Sequence, residues 1–436
     1  MNSNFENASF WDIRREKKFV SLITIENDEI KRIEEKEIEG IGIRTFGNGT
    51  WSLFFSNNDE KTRKKRKKSK QKVVNKKPIK GKYKLSAKKD VRSIDLEEKV
   101  EMLKEIKKQF EGEKIKSVSI TLYAFHRTME YVDSLGSNAS QEYPITSVFV
   151  NLVGKENSRL ERYAISFGDS VGLELLDEKN WEKIARETKQ KVYDLLKAKK
   201  IKGGHYNAIL DNELAGVFIH EALGHAAELD HAIESHTILS NQEGKKIAPD
   251  FFNLISTHTK KSFGFYFFDD EGVKKKDTYL IKNGVFTNYM SDMKSSMETG
   301  KSLTANGRAE DYSNFPIVRM NTLCIKPMKN VSFEEMLNEL KNGLYLIGFT
   351  GGETSPSDGN FLFKTQIGYL VKNGEIVAPL KDVSIGGHTL ETLKHIKLLS
   401  KDLEKDKGFC GKDGQSVPVA EIVPKMLVEN ILVGGE

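Results

Sequence analysis

Residues Asp211–Glu228 read DNELAGVFIHEALGHAAE, and this stretch carries the strongest structural and chemical signal in the chain. Asp211 or Asn212 can cap a helix, whose first turn favours a negative charge such as Glu213. Apolar residues at helical spacing follow and predict a buried helix face. Three polar side chains sit within that face: His220, Glu221 and His225. Polar groups there cost stability unless they have partners, and a bound metal would supply them.

The two histidines follow the pattern H-E-x-x-x-H, one residue longer than the H-E-x-x-H zinc motif. Residues four apart on an α-helix lie about 40° apart around its axis, whereas residues five apart lie about 140° apart. The imidazoles therefore converge only if the helix widens or breaks between them, as in a π-type bulge. Because Gly224 weakens the helix, we predict a bulge or break within Ala222–His225. The alternative is a regular helix that carries the histidines by chance and binds no metal.

A catalytic zinc site needs a third protein ligand and an open position for water, and the sequence offers three candidates. Glu228 lies three residues beyond His225 on nearly the same helical face, and Asp230 follows it. Cys410 lies far along the chain between glycines, which allow a backbone to approach a metal closely. Lys412 nearby would favour its thiolate. The structural alternative for Cys410 is a small buried residue in a tight turn.

The first part of the chain, residues 1–202, is predicted to form an N-terminal α+β domain. Two apolar runs around Gly47-Asn48-Gly49 predict a hairpin. Apolar residues at helical spacing predict helices over about 95–112 and 178–200. A Lys- and Gly-rich stretch at 199–204 then interrupts the pattern, and we place the domain boundary there.

The second part, residues 203–436, is predicted to form a C-terminal domain. Asn-Gly turns predict hairpins at Tyr279–Tyr289 and Tyr369–Val377, and helices are expected over 332–342 and 388–400. This mixture predicts an α+β fold of two domains, with mixed or antiparallel sheets flanked by helices.

The positive charge of the chain is concentrated in one segment. The formal charge of +6 comes from 69 Lys and Arg against 63 Asp and Glu. Residues 61–82 hold 13 basic residues and no acidic one. Without this segment the chain has 56 basic and 63 acidic residues, which is a charge of −7. A nucleic-acid-binding domain instead spreads its charge over a folded face. We therefore predict a solvated, mobile loop at 61–82, with phosphate binding as the alternative.

Composition also predicts the compartment. With only Cys324 and Cys410, the chain has no disulfide framework. It contains no apolar run of 18 residues, so no transmembrane helix is expected, and its N-terminus has no apolar signal-peptide core. We therefore expect a cytoplasmic protein that does not use a membrane.

The chain is similar to the TldD/PmbA family of metalloproteases, also called modulators of DNA gyrase. The resemblance rests on four features of the second half, in family order: GVFIHEALGHAAE at 216–228, NGR at 306–308 with PIVRMN at 316–321, GFTGGETSPSDGNFLF at 348–363, and GFCGKDGQSVPV at 408–419. The first half matches loosely, through residues 40–56 and the strand pattern. The basic run is not expected of the family.

The resemblance implies a zinc-dependent metallopeptidase that cleaves peptides or unfolded proteins within a dimer cavity, with residues 203–436 as the metallopeptidase domain. One Zn²⁺ per subunit would be held by His220, His225 and Cys410. Glu221 would be the general base that activates the zinc-bound water. Because some family subunits lack the histidine motif, this chain resembles the catalytic TldD type. It would form a homodimer, or a heterodimer with a PmbA/TldE-like subunit, and nucleic acid is not an expected partner.

Further residues are candidates for binding substrate or supporting the ligands. Gly351 and Gly352 precede a strand that would pair with a substrate peptide, or they form an ordinary long turn. Arg308 would face the site or complete a turn. Glu228 and Lys412 would contact the substrate or support the ligand side chains.

Two other function classes stay open. The first is a non-enzymatic regulatory or binding protein with a structural zinc site, which a fourth protein ligand such as Glu228 would indicate. The second is a nucleic-acid-associated factor that acts through residues 61–82.

Overall fold

A computed structural model describes residues 8–57, 63–68, 76–326 and 331–435 of the protein. Within these ranges the chain forms two large sheets and one small one. The first sheet contains eight strands: β1 Phe10–Glu26, β2 Glu29–Gly47, β3 Thr50–Ser56, β4 Arg63–Lys68, β5 Lys80–Lys84, β6 Ile115–Asp133, β7 Asn138–Glu156 and β8 Arg159–Asp169.

The second sheet contains thirteen strands, all from the later part of the described chain. They are β9 Gly204–Leu210, β10 Leu254–Thr257, β11 Thr278–Lys282, β12 Val285–Phe286, β15 Thr322–Ile325, β16 Gly343–Ile347, β17 Gly351–Thr354, β18 Asn360–Lys364, β19 Ile367–Lys372, β20 Glu375–Leu380, β21 Ser384–His388, β22 Ile396–Lys412 and β23 Gln415–Gly434. The small sheet pairs β13 Gly307–Arg308 with β14 Ile317–Val318.

Short helices flank these sheets. They are α1 Leu96–Gln109, α2 Glu174–Asp177, α3 Trp181–Lys197, α4 Asn212–Val217, α5 Leu229–Ser235, α6 Met293–Thr299, α7 Phe333–Leu340 and α8 Thr389–Lys394. A π-helical segment, Phe218–Gly224, and a 3₁₀ turn, His225–Ala227, lie between α4 and α5. No helix in the described ranges combines the length and the apolar character needed to cross a membrane.

The first sheet has the order β4-β3-β2-β1-β6-β7-β5, and β8 also pairs with β7. One face is covered by α1 and α3, whose apolar side chains join those of the central strands in a single core. For example, Leu103 of α1 and Val192 of α3 are buried with Ile120 and Val150 of the sheet. This core follows from the helical and alternating spacing of apolar residues.

The second sheet is organised around β23, which pairs with β9, β15, β21 and β22. The segment from α4 to the 3₁₀ turn packs its apolar side, including Leu214, Phe218 and Leu223, into the core of this sheet. The β22–β23 hairpin brings Cys410 opposite Val417. The sheet therefore carries both parts of the candidate metal site.

Buried polar contacts join the first sheet to the segment between β10 and β11. Arg127 of β6 donates a hydrogen bond to Asp270 at 2.7 Å, and Gln141 of β7 donates one to the carbonyl of Phe268 at 2.9 Å. The Arg127–Asp270 bond is charge-assisted and therefore stronger than a bond between neutral groups, so it holds this segment against the first sheet.

The predicted fold class and several predicted elements are confirmed. The fold is α+β with mixed and antiparallel sheets. The helices expected over 95–112, 178–200 and 332–342 are present as α1, α3 and α7. All three Asn-Gly turns join antiparallel strands, and both turn residues have the positive φ that such tight hairpins require: Asn48 51° and Gly49 70°, Asn283 51° and Gly284 75°, Asn373 51° and Gly374 79°.

The prediction of a loop at 61–82 is wrong for residues 63–68 and 80–82, whereas the described residues 76–79 belong to no strand or helix. Residues Arg63–Lys68 form β4, which pairs antiparallel with β3, and Lys80–Lys82 belong to β5. The partner strand supplies backbone hydrogen bonds, and the Nζ of Lys64 lies 4.4 Å from the ring centre of Phe54. Lysines suit an exposed edge strand because they block further pairing. Residues 61–62 and 69–75 of the run lie outside the described residues.

The helix expected over 388–400 is also shorter than predicted. It ends at Lys394, and from Ile396 the chain continues as β22 along β23. The buried side chains of Ile396 and Leu399 fill the core from a strand, since helical spacing over so few residues does not exclude a strand.

Candidate metal centre

The motif helix changes its winding at the histidines. It starts regularly at Asn212, where the Asp211 carboxylate accepts a hydrogen bond from the Leu214 amide at 2.9 Å. The segment Phe218–Gly224 is π-helical, and the amide of His225 donates to the carbonyl of His220. This i→i−5 bond adds about one residue to the turn. The predicted distortion is confirmed, although the widened segment begins at Phe218 rather than at Ala222.

The wide turn brings the two imidazoles to the same side. Their ring centres lie 5.2 Å apart with an interplanar angle of 85°. Cys410 of β22 reaches the same space, with its Sγ 3.7 Å from Nε2 of His225. One donor atom from each of these three residues lies within 4.8 Å of the other two.

Gly224 has a different role from the expected one. Its backbone angles, φ −60° and ψ −49°, are ordinary helical values that any residue adopts. A Cβ at this position would instead lie 2.3 Å from the Sδ of Met320 and 3.3 Å from the carbonyl oxygen of Ile219. Glycine is therefore needed here for close packing.

A carboxylate lies behind each histidine. Nδ1 of His220 is 2.6 Å from Oε1 of Glu421 on β23, and Nδ1 of His225 is 3.0 Å from Oε2 of Glu228. Both carboxylates are buried. Such a partner fixes the orientation of a ring and leaves Nε2 as the free donor atom, as is usual for metal-binding histidines.

The Cys410 thiol is activated by its neighbours. Burial raises its pKa, but hydrogen bonds and positive charge from His220 and His225 outweigh burial and bring the pKa to about 5. For His225 burial lowers the pKa, while Glu228 and Cys410 raise it to about 9. A cation bound by these three groups would displace the imidazole protons, so metal binding and protonation compete.

Glu228 and Asp230 also bind Lys412. The Lys412 ammonium donates to Glu228 at 3.0 Å, to both oxygens of Asp230 at 2.8 Å, and to the carbonyl of Val318 at 3.1 Å. Lys412 is thus paired with carboxylates. It was expected to favour the Cys410 thiolate, but the low pKa of Cys410 follows from His220 and His225. Of the three candidate third ligands, only Cys410 shares the space between both histidines.

A second group of donor atoms shares His225. His225, Glu228 and His231 also have donor atoms within 4.8 Å of one another. The Lys412 ammonium already supplies positive charge beside Glu228, and the pKa of Glu228 is lowered to about 2 as Lys412 and His225 outweigh its burial. This group therefore fits an ion-pair cluster better than a metal site.

Glu221 lies on the open side of the histidines. One carboxylate oxygen is 3.8 Å from Nε2 of His225, and its side chain is 38% exposed. Of the acidic residues named above that lie near the three donor atoms, Glu221 is the most exposed. A substrate can therefore approach it.

Gly351 and Gly352 begin β17, whose only pairing partner in the described chain is β18. The strand runs beside the π-helical segment that holds His220 and Glu221. Its other edge has no strand partner among the described residues. Arg308 does not reach the histidines, because it is buried against the ring of Tyr266 at 4.9 Å and donates to the carbonyl of Met320.

Sequence reasoning missed two residues of the site. Glu421 orients His220, and its only signal was a single carboxylate in the apolar run of β23. Arg319 is fully buried and donates to the carbonyls of Cys410 and Gln415, which holds the tip of the β22–β23 hairpin. Its only signal was one arginine within PIVRMN.

Comparison with known proteins agrees with the fold. The chain matches three consecutive profiles of PmbA/TldA metallopeptidases: domain 1 over 11–75, the central domain over 89–196 and the C-terminal domain over 203–435. A metalloprotease of Archaeoglobus fulgidus is 34% identical, covering 98% of this chain and 99% of that protein. A zinc metalloprotease TldD homolog of Saccharolobus solfataricus is 32% identical, covering 98% and 97%.

A solved structure shares the fold. TldE from Thermococcus kodakarensis superimposes with a TM-score of 0.78 at 19% identity, covering 98% of this chain and 97% of that one. The expected resemblance is thereby confirmed, and so is the expected enzyme class at the level of the family. The chain belongs to the PmbA/TldD family of metallopeptidases.

Proposed function

We propose that this protein is a zinc-dependent metallopeptidase that cleaves peptides or unfolded proteins, with His220, His225 and Cys410 as zinc ligands and Glu221 as general base. The observation that carries the proposal is the convergence of two imidazoles and a thiol within 4.8 Å across a widened helical turn. A relative of the chain is named as a zinc metalloprotease.

The donor set fits zinc. Two imidazole nitrogens and a thiolate are ligands that zinc prefers, and three protein ligands leave a fourth position for water or substrate. Glu228, the candidate for closing that position, is bound to His225 and Lys412 instead. When bound, zinc supplies Lewis acidity that polarises the scissile carbonyl and makes an attacking water acidic near neutral pH.

The surrounding residues have distinct roles in this proposal. Glu221 accepts the proton of the attacking water and passes it to the leaving amine. Glu421 and Glu228 hold the imidazoles with Nε2 facing the shared space. Arg319 holds the backbone of Cys410.

We further propose that the substrate binds as an extended strand along the free edge of β17. Backbone pairing of this kind depends little on side chains, which suits unfolded peptides of varied sequence. The nearness of β17 to the histidine segment supports this role. The alternative is that Gly351 and Gly352 serve only the turn into β18.

The assembly is proposed as a dimer, either of two copies or with a TldE-like subunit, enclosing the site in a cavity. The similarity in fold to TldE supports such a pairing. The division at residue 202 and a cytoplasmic location also stay predictions.

The test combines metal analysis with peptide cleavage. Wild-type protein is expected to hold one zinc per chain and to cleave an unstructured peptide. Glu221→Gln is expected to keep the zinc and lose cleavage by about 10²–10⁴-fold, as expected for loss of a general base. Cys410→Ala and His220→Ala are expected to lose the zinc.

Cys324→Ala is the matched control, because Cys324 is the other cysteine and is buried in β15, outside the donor group. It should change neither zinc content nor cleavage. Zinc retained by Cys410→Ala, or cleavage retained by Glu221→Gln, would contradict the proposal.

A further inference from the structure

A cavity of about 260 Å³ lies against the β22–β23 hairpin that carries Cys410, and none of the roles assigned above uses it. Its walls include Phe409 and Val417, the residue that precedes Cys410 and the residue directly opposite Cys410 on β23. The volume is below the range of about 300–1,000 Å³ typical of drug-sized ligand pockets. The cavity therefore suits one amino-acid residue of a substrate.

Two cations in the wall of this cavity have no carboxylate partner. Among the described residues, neither Lys18 nor Arg308 forms an ion pair, although Arg308 is only 5% exposed. The neighbouring carboxylates act on them through charge at longer range, Glu16 and Glu310 on Lys18 and Asp270 on Arg308. Lys18 has its Nζ 4.4 Å from the ring centre of Phe125. Arg308 has the carbonyl of Met320 and the ring of Tyr266 as partners. A buried cation such as Arg308 is unfavourable without a directly paired anion.

Arg127, a third cation in the wall, differs from Lys18 and Arg308 because it is paired with carboxylates. Arg127 lies directly opposite Lys18 in the pairing of β1 and β6, so two like charges face each other. Arg127 is neutralised by Glu16 at 2.9 Å and Asp270 at 2.7 Å. Burial lowers the pKa of Lys18 and of Arg308, whereas for Arg127 the two carboxylates outweigh burial and raise the pKa.

The one acidic residue in the wall is Glu310. One of its carboxylate oxygens accepts a hydrogen bond from the Ser416 amide at 2.8 Å. This bond holds Glu310 to the β22–β23 hairpin. Aromatic rings, including those of Tyr123 and Phe409, form much of the remaining wall, and apolar walls strengthen charge interactions beside them.

We propose that this cavity binds a carboxylate of the substrate peptide, an acidic side chain or the free C-terminus, through Lys18 and Arg308. The proposal rests on the proposed peptidase function and adds a substrate class to it. Guanidinium and ammonium groups are the usual partners of carboxylates, and such bonds are stronger beside apolar walls than in bulk water.

The experiment measures binding separately from cleavage. One unstructured decapeptide is prepared with Glu or Gln at each position in turn, and with a C-terminal acid or amide. Binding of each labelled peptide to the full-length Glu221→Gln protein is measured by fluorescence anisotropy. We expect at least tenfold tighter binding of the carboxylate form at one position, or at the terminus, and this pattern tells the two carboxylate sources apart.

Variants then assign the preference to the cavity. In the Glu221→Gln background, Lys18→Gln and Arg308→Gln are each expected to reduce the carboxylate preference below threefold, and Arg308→Lys is expected to keep most of it. Lys17→Gln is the matched control, since Lys17 is the exposed neighbour of Lys18 and pairs with Glu37 at 2.7 Å. Melting temperatures confirm folding, and Lys18, being partly exposed, tolerates the change in any case.

Equal binding of acid and amide forms at every position, or binding of neither, overturns the proposal. So does a preference that survives in both Lys18→Gln and Arg308→Gln. A carboxylate preference lost in these variants, with no cleavage by wild type, supports the cavity and contradicts the peptidase function. Cleavage without any carboxylate preference supports the peptidase function and overturns the cavity.

Discussion

Nδ1 of His220 lies 2.6 Å from Oε1 of Glu421, although 201 residues separate the two in sequence. Gly216 allows this approach, because a Cβ at position 216 would lie 3.1 Å from Cβ of Glu421. Glu421 thereby fixes the ring orientation of the first histidine of the motif. The second histidine has its own carboxylate, Glu228, but Lys412 partly neutralises that one. The two proposed imidazole ligands therefore differ in their carboxylate partners: Lys412 partly neutralises the partner of His225 but not the partner of His220.

Glu421→Gln should weaken zinc binding by about 10–100-fold, as is usual when a carboxylate behind a ligating histidine is changed. Glutamine keeps a hydrogen-bond acceptor but removes the charge that makes the imidazole a better donor. Zinc affinity is measured by competition with a chromogenic chelator. Glu404→Gln serves as control, since Glu404 pairs with Lys425 and its side chain is 64% exposed. Equal affinity in both variants would contradict the role of Glu421.

Gly224→Ala should destabilise the protein by about 1–3 kcal/mol, because overpacking a filled core has costs of this size. The new methyl group would meet the Sδ of Met320. Denaturant unfolding measures the loss. Met320→Ala should remove most of the penalty in the double variant, and Gly411→Ala, where a Cβ meets no atom within 4 Å, should cost little. Equal penalties with and without Met320 would refute the packing explanation.

Glu174→Gln should lower stability at neutral pH by about 1–3 kcal/mol, since hydrogen bonds to a charged acceptor contribute about that much. Glu174 accepts bonds from the amides of Lys88 and Lys89, at 3.1 and 2.9 Å. Burial raises its pKa, but backbone hydrogen bonds outweigh burial and leave the pKa below its ordinary 4.5.

The sign of this pH dependence follows from the lowered pKa. The carboxylate stabilises the fold fully above pH 4.5, and its contribution is lost as pH falls through the lowered folded value. Urea unfolding at pH 7 and pH 3 should therefore show a gap between wild type and Glu174→Gln that shrinks at the lower pH. Glu178→Gln, with a side chain 47% exposed, should show no such gap. A gap that is constant with pH would contradict the assignment.

Peptide N-methylation should reveal strand addition along β17. Methylation removes a backbone donor, and only alternate amides of a bound strand face the partner edge. Cleavage should therefore fall for every second methylated amide on each side of the scissile bond, as measured by kcat/KM over a set of singly methylated peptides. A uniform effect at all positions would argue that the edge of β17 is not the binding site.

The triple change Lys64→Gln, Lys65→Gln and Arg66→Gln should leave peptide cleavage within about twofold. These exposed residues lie on β4, an edge strand of the first sheet, while the proposed ligands belong to the second sheet and the helix packed on it. Nucleic-acid binding with a steep salt dependence, lost in this variant, would favour the rival function. Binding is measured in titrations with duplex DNA at several salt concentrations.

Features that depend on near neighbours were predictable from the sequence. The widened turn follows from the five-residue spacing of His220 and His225, because helix geometry alone prevents their convergence in a regular helix. The hairpins follow from Asn-Gly pairs, since these residues adopt positive φ at low cost. Helices α1, α3 and α7 follow from apolar periodicity. Each of these depends on residues within a few positions of one another.

Other features depend on which strands pair. Arg63–Lys68 has no strand pattern of its own and becomes β4 only because β3 supplies hydrogen bonds. Glu421 and Arg319 gave no local signal of their contacts. Among Glu228, Asp230 and Cys410, the residues alone left the third ligand open, and only the family resemblance favoured Cys410.

The sequence by itself determined the motif helix and its distortion, and it identified His220, Glu221 and His225 as candidate site residues. Only the tertiary structure decided that Cys410, 185 residues beyond His225, shares their space, and that Lys412 neutralises Glu228 and Asp230. The physical reason is the distance along the chain over which each interaction acts. Backbone sterics and helical periodicity act over a few residues, whereas the meeting of distant side chains depends on sheet register, where a shift of one residue would turn Cys410 away from the histidines.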